Sequence, residues 1–179
     1  MKKQRKRIYT ALLCTCFLFS TASVPVSAAE TEQEEMTTLS SRSGEAEVST
    51  AADLASALEN SSISKITLKQ DIDISDTLTV NRAVTLDLNG FVLRMTKEGS
   101  VIKVEQGGNL TIADSDKNTA HKFAQNTNGL WELVDGSSAT SKTVNGGIIT
   151  GGKAKKGGGV YVAPECTFAM ATGSNIHNC

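Results

Sequence analysis

The sequence predicts an all-β fold, a right-handed parallel β helix (solenoid) of short strands with a capping helix at its N-terminal end. Three observations predict it. Between Ile66 and Ile112 the apolar residues come as pairs two apart, Ile66/Leu68, Ile72/Ile74, Leu78/Val80, Val84/Leu86, Leu93/Met95, Ile102/Val104 and Leu110/Ile112, with polar or turn residues between the pairs. Side chains alternate across a strand, so each pair reads as a short strand with one buried face. The chain also has 15 glycines and only 4% aromatic residues, which suits short strands and tight turns better than a helical bundle. After residue 145, glycine-rich corners bracket further runs long enough for one strand each.

The chain is 179 residues long, enough for one domain with a proper core. Residues 1–28 read as a secretory signal peptide. A basic stretch containing Lys2, Lys3, Arg5, Lys6 and Arg7 leads into a short apolar run interrupted by Thr10, Thr15, Ser20 and Thr21, and Val26-Ser27-Ala28 places small residues where signal peptidase reads them. Cleavage is expected after Ala28. A membrane span would need about 20 predominantly apolar residues, and the run before Cys14 lacks the small residue of a lipoprotein cleavage site. The formal net charge of −1 becomes −6 after Ala28, because five of the 18 basic residues precede every acidic one. An acidic mature domain is not expected to bind nucleic acid through its overall field.

Residues 29–49 are rich in Glu, Thr and Ser, and are expected to form a disordered acidic linker. Residues 50–62 carry the one convincing helix. Thr50 can cap it with Asp53 at the third helical position, while Leu54, Leu58 and alanines 51, 55 and 57 form an apolar stripe. So short a helix is marginal alone, and covering the open end of the solenoid is its expected role. The first coils are expected over 63–114. Pairs beginning at Ile66, Ile72, Leu78 and Val84 recur every six residues, the period of left-handed hexapeptide β helices. The later pairs, however, are spaced by nine, nine and eight residues, with Asn89-Gly90 and Gly107-Gly108 turns between them. Variable turns and the handedness of parallel crossovers favour a right-handed coil.

Residues 115–145 break the pattern and are too long for an ordinary turn. A surface excursion is expected there, packed as a small hairpin by Trp131 and Phe123. Residues 146–179 then resume as Gly-rich coils. The series GGIITGGKAKKGGGVYV, TFAM and TGSNIHN, with VTLDLNGFVL and GGNLTIADS before it, resembles the parallel β-helix repeats of large secreted and wall-associated proteins of Gram-positive gut bacteria, in the pectin-lyase-like superfamily. The resemblance covers about residues 50–179 and is carried by structural motifs, so it speaks to fold more than to activity. It implies that further coils of the same polypeptide follow, ending in wall-anchoring or adhesive modules. The expectation is therefore that this chain begins a longer protein or is a truncated product.

Pectin-lyase-like enzymes, by the same resemblance, place carboxylates, often with calcium, and a basic residue on one exposed sheet. Asp71, Asp73, Asp76 and Asp87, with Arg82 and Arg94 nearby, could be read that way. Asp71 and Asp73 nevertheless alternate with Ile72 and Ile74 as the solvent side of a half-buried strand would. No catalytic aspartate pair or lyase arginine motif matches residue by residue, so no catalytic residue, metal ligand or cofactor is assigned. His121 and His177 lack zinc-ligand spacing. Gly107-Gly108 and the glycines at 157, 158 and 159 are not phosphate loops, since no Gly-Lys-Ser/Thr follows. Asn89, Asn109, Asn145 and Asn175 are expected at left-handed corners. Cys166 and Cys179, the only cysteines after Ala28, could be oxidised in an exported protein, but at 13 residues apart, shorter than a coil, they are expected as free, partly buried thiols over a disulfide.

Trp131 is the best single candidate for a sugar-stacking platform, against the plainer reading of a Trp pinning its own loop. Lys153, Lys155 and Lys156 form a basic corner that could meet a carboxylated glycan or teichoic acid. The expected function is a secreted or cell-surface β-helical scaffold, adhesin-like or glycan-contacting and non-catalytic in this segment, with polysaccharide, host glycan or cell wall as partner. The alternative is the N-terminal part of a polysaccharide lyase or glycoside hydrolase of the same superfamily. Fold alone does not choose between them.

Overall fold

The computed structural model describes residues 41–42, 44–129, 131–134 and 141–179. The expected signal peptide, residues 1–28 with cleavage after Ala28, and residues 29–40 of the expected linker lie outside the described residues. The described chain is mostly β with one short helix. In order it forms β1 (Ser41–Arg42), β2 (Glu45–Val48), α1 (Ala51–Glu59), β3 (Lys65–Leu68), β4 (Ile72–Ile74), β5 (Leu78–Val80), β6 (Ala83–Asp87), β7 (Val92–Met95), β8 (Ile102–Val104) and β9 (Asn109–Ala113). There follow β10 (Ala120–Gln125), β11 (Trp131–Val134), β12 (Lys142–Asn145), β13 (Ile148–Thr150), β14 (Val160–Val162), β15 (Thr167–Met170) and β16 (Asn175–Ile176).

All seven apolar pairs fall on strands, β3 to β9, and every one of the fourteen side chains is buried. The strands enter three sheets in cyclic order. The first sheet is β1-β2-β3-β6-β9-β15, the second β16-β13-β7-β4 and the third β14-β8-β5. Apart from the β1–β2 contact, all pairing within them is parallel. This arrangement is consistent with a β helix. Register stacks like on like: Ala46, Ile66, Leu86, Ile112 and Met170 succeed one another across the first sheet, and Ile72, Leu93, Ile149 and Ile176 across the second. One continuous core joins Ala46, Ile66, Leu86, Ile112, Ile72, Leu93 and Ile149, with Ile176 packed against it, because each strand has a single apolar face to bury and only its neighbours in the stack can cover it.

The linker expectation is corrected for its last residues. Glu45–Val48 is not disordered but pairs in parallel with β3, Glu45 opposite Lys65 and Val48 opposite Leu68. Its burial alternates strictly, with Ala46 and Val48 inside and the two glutamates outside. High Glu content marks only the outer face of such a strand; the period-two placement of Ala and Val decides the inner one.

α1 begins where Thr50, in an extended conformation, accepts the Asp53 N–H on its Oγ1 at 3.1 Å. Leu54, Ala57 and Leu58 are buried, spaced to share one helical face, and join the core cluster of the strands. The Arg82 guanidinium, half-buried, closes the other end. It donates to the carbonyls of Ala57 (3.0 Å) and Leu58 (3.2 Å) in the helix's last turn and to those of Ile63 and Ala83. Helix-terminal carbonyls lack partners within the helix, and here a cation supplies them.

Of the four asparagines expected at left-handed corners, Asn89 alone has a positive φ, at 50°. Asn109, Asn145 and Asn175 lie on strands instead. Asn175 works through its side chain, whose amide donates to the carbonyls of Asn145 and Gly173, each at 2.8 Å, and of Gly147 at 3.3 Å. Cys166 and Cys179 are both free, the first half-buried and packed on the core.

Candidate functional site

The acidic residues nearest the strands are held as structural acceptors. Asp71 takes the Val92 N–H at 2.8 Å. Asp73 pairs with Arg94 in a two-pronged contact, Nε to Oδ1 at 2.8 Å and Nη2 to Oδ2 at 2.7 Å, set up because Asp73 and Arg94 stand opposite each other in the parallel register of β4 and β7. Asp76 accepts the Ser75 hydroxyl. Asp87 is buried and accepts the N–H groups of Asn89 (3.0 Å) and Ser115 (2.9 Å), with Lys65 at 3.9 Å. Arg82 faces the helix, as above. The arrangement therefore does not bring these residues together as one acid-base or cation-binding group. Among the described residues no three His, Cys, Asp or Glu side chains converge in a way that could hold a metal ion.

Sequence reasoning missed Asp114. This buried carboxylate splits its oxygens, Oδ1 accepting from Gly90 N and Oδ2 from Gly147 N, both at 2.7 Å. Asp114 directly follows β9 and Gly147 directly precedes β13, so one side chain ties both sides of the excursion to the turn at Gly90 between β6 and β7. Gly90 and Gly146 have φ of +77° and +87°, values that favour glycine. A Cβ at Gly146 would also collide with the Asp114 carboxylate and the Gly173 carbonyl. Asp116 starts the excursion, its carboxyl held below the usual range by the Asn118 N–H and the Thr119 hydroxyl.

The excursion forms a three-stranded antiparallel sheet, β11-β10-β12, rather than a single hairpin. Fully buried Phe123 of β10 sits with Val92 of β7 and Ile148 of β13, and Trp131, Leu133 and Val144 pack around them. Val92 and Ile148 are register partners on the second parallel sheet, next to Leu93 and Ile149 of the main core. That sheet is thus covered on both faces, by the core within and by the excursion outside. His177 adds a ring contact to Phe123 with centroids 4.3 Å apart, and His121 Nε2 lies 2.8 Å from the Gly90 carbonyl.

Trp131 is half-buried in this packing, with the Lys142 ammonium 4.4 Å from its ring centroid. Lys153 is fixed by reciprocal backbone bonds with Gly99, at 2.8 and 2.9 Å. It shares a cleft of about 520 Å³ with Arg94, Lys97, Glu132 and Leu133. The structure therefore brings Lys153 to the rim of the strand that carries Trp131. Lys155 and Lys156 lie exposed on the following turn. No helix among the described residues is long and apolar enough to cross a membrane.

Comparison with known proteins matches residues 45–149 to the family described as "Putative pectate lyase-like adhesive domain". That is more than half of the chain. The chain belongs to this family. No curated protein and no solved structure matches it. The span matched to the pectate lyase-like adhesive domain runs from β2 to β13, so it includes α1, the first two full turns of the parallel sheets and the whole excursion.

Proposed function

We propose that the protein is a secreted, non-catalytic adhesive scaffold of a Gram-positive gut bacterium, exported by a signal peptide cleaved after Ala28, its residues 50–179 winding as a right-handed parallel β helix. The observation that carries the adhesive reading is the family match over 45–149. Right-handed winding follows from the strong preference of parallel crossovers for that hand. The non-catalytic reading is supported by the commitment of Asp71, Asp73 and Asp87 to backbone donors or to Arg94.

The proposed partner is a polysaccharide or host glycan at a cell surface. The contact face is the excursion and the corner beside it, with Trp131, Lys153, Lys155 and Lys156 as its leading residues. A cleft of about 520 Å³ lies within the size range of ligand sites, and its cations can meet acidic groups on a glycan. The test is retention of the purified chain on an array of plant and host glycans. Trp131→Ala and Lys153→Ala are expected to weaken retention roughly tenfold each, the usual scale for losing a stacking or charged contact. Retention equal to wild type in both variants would place the adhesive contact elsewhere.

A further inference from the structure

Asp87 lies on the outward row of the first sheet, in register with Thr67 of β3 and, through it, with Glu47 of β2. Outward side chains are expected to be open to solvent, yet that of Asp87 is only 5% exposed. Its Oδ1 is fully employed, accepting the N–H groups of Asn89 and Ser115. Its Oδ2 accepts no hydrogen bond among the described residues, and the ammonium beside it, Lys65 Nζ, stands at 3.9 Å, beyond hydrogen-bond reach. Asp114, by contrast, uses both of its oxygens. A polar group so buried ordinarily finds a partner.

Asp87 lines a cleft of about 410 Å³ together with Glu47, Lys65, Thr67, Asn89 and Ser115, a volume within the range of ligand sites. Since Oδ1 is tied to the turn backbone, Oδ2 is the oxygen offered to that cleft. Lys69 pairs with Glu47 at 3.2 Å and fixes one wall, while the Lys65 ammonium has no closer acceptor among the described residues than Oδ2. A group seated between Lys65 and Asp87 must accept from an ammonium and donate to a carboxylate at the same place. A hydroxyl does both. An anion would suit Lys65 but would be opposed by Asp87, Glu45 and Glu47, and these carboxylates do not converge in a way that could hold a metal ion. We propose that this cleft is a second glycan site, specific for an uncharged sugar, one of whose hydroxyls bridges Asp87 Oδ2 and Lys65 Nζ. It lies on the first parallel sheet, away from the excursion strand of Trp131, and does not rest on the contact face proposed there.

Amide NMR of the purified chain tests the proposal, with neutral tetrasaccharides of glucose, mannose and galactose as probes and tetragalacturonate as the charged counterpart. Asp87→Asn keeps an acceptor oxygen for the N–H groups of Asn89 and Ser115 and replaces Oδ2 by an amide that cannot accept, so the turn survives; Lys65→Met removes the donor from a half-open position. At least one neutral tetrasaccharide is expected to shift the amides of Thr67, Asn89 and Ser115 at millimolar concentration, with tetragalacturonate at least about tenfold weaker there. Either variant should raise the dissociation constant at least about tenfold, the scale of losing one hydrogen bond to a charged group, whereas Lys153→Ala should leave it unchanged. No shift at these amides with any neutral probe, equal binding of tetragalacturonate, or variants that bind like wild type would each overturn the proposal. Shifts confined to Trp131 and Lys153 would overturn it too, while sustaining the contact face at the excursion.

Discussion

Asp114→Ala is expected to lower the unfolding free energy by about 2 to 6 kcal/mol, the largest effect of any single polar substitution in the described chain. The carboxylate satisfies two backbone donors, Gly90 N and Gly147 N, each at 2.7 Å and buried, and a buried donor left without a partner costs about 1 to 3 kcal/mol. Asp114→Asn keeps one acceptor oxygen and turns an amide N–H towards the other donor, so it should recover at most half of the loss. Urea denaturation of the three proteins measures this. The defect should also be local: amide exchange in β10 and β12, whose sheet is rooted at this carboxylate, should accelerate more than in β3 and β6. A loss under 1 kcal/mol for Asp114→Ala would mean that the excursion is held by its apolar contact with Val92 and Ile148 alone.

Arg82→Met should cost about 2 to 4 kcal/mol. Methionine keeps an apolar stem over the helix but strips the donors from the carbonyls of Ala57, Leu58 and Ile63, and hydrogen bonds to a charged group are worth about 1.5 to 3 kcal/mol each, less where solvent can replace them. Burial lowers the Arg82 pKa, yet a guanidinium stays charged in proteins, so the bonds persist across the pH range in which the fold survives. Arg82→Lys should recover less than half, because an ammonium is a point donor that cannot span carbonyls from three residues. The signature is a loss of helical circular dichroism at temperatures where the β signal remains. If the two signals melt together at the wild-type midpoint, Arg82 does not hold α1.

What was legible in the sequence depended on the distance over which each signal acts. The seven apolar pairs declared their strands because a half-buried strand writes a period of two into any four residues. The same period was present at Ala46 and Val48, but the glutamates between them made the segment look like solvated linker. Val92-Leu93 and Ile148-Ile149 also carried a signal: doubled apolar residues mean two covered faces, and the second face here is the excursion sheet. Asp114 gave no comparable sign. Its donors lie 24 and 33 residues away, and nothing in the residues around it distinguishes a buried cross-chain acceptor from a solvated loop acid. Arg82 was equally opaque, since the helix end it closes is set by packing of α1 against the coils. The corner asparagines show the reverse error, a residue type favoured in left-handed turns serving on strands, where Asn175 bridges carbonyls through its side chain.

The adhesive and non-catalytic reading stands or falls on whether the chain holds a glycan without cutting it. The most direct measurement incubates the purified chain with pectic and host polysaccharides, with and without calcium, and follows retention and polymer length in the same samples. Retention with unchanged polymer length, weakened by Trp131→Ala, is the predicted result. Calcium-dependent shortening of a polymer, abolished by Asp73→Asn or Asp87→Asn, would contradict the account and make the carboxylates of β4 and β6 a catalytic group.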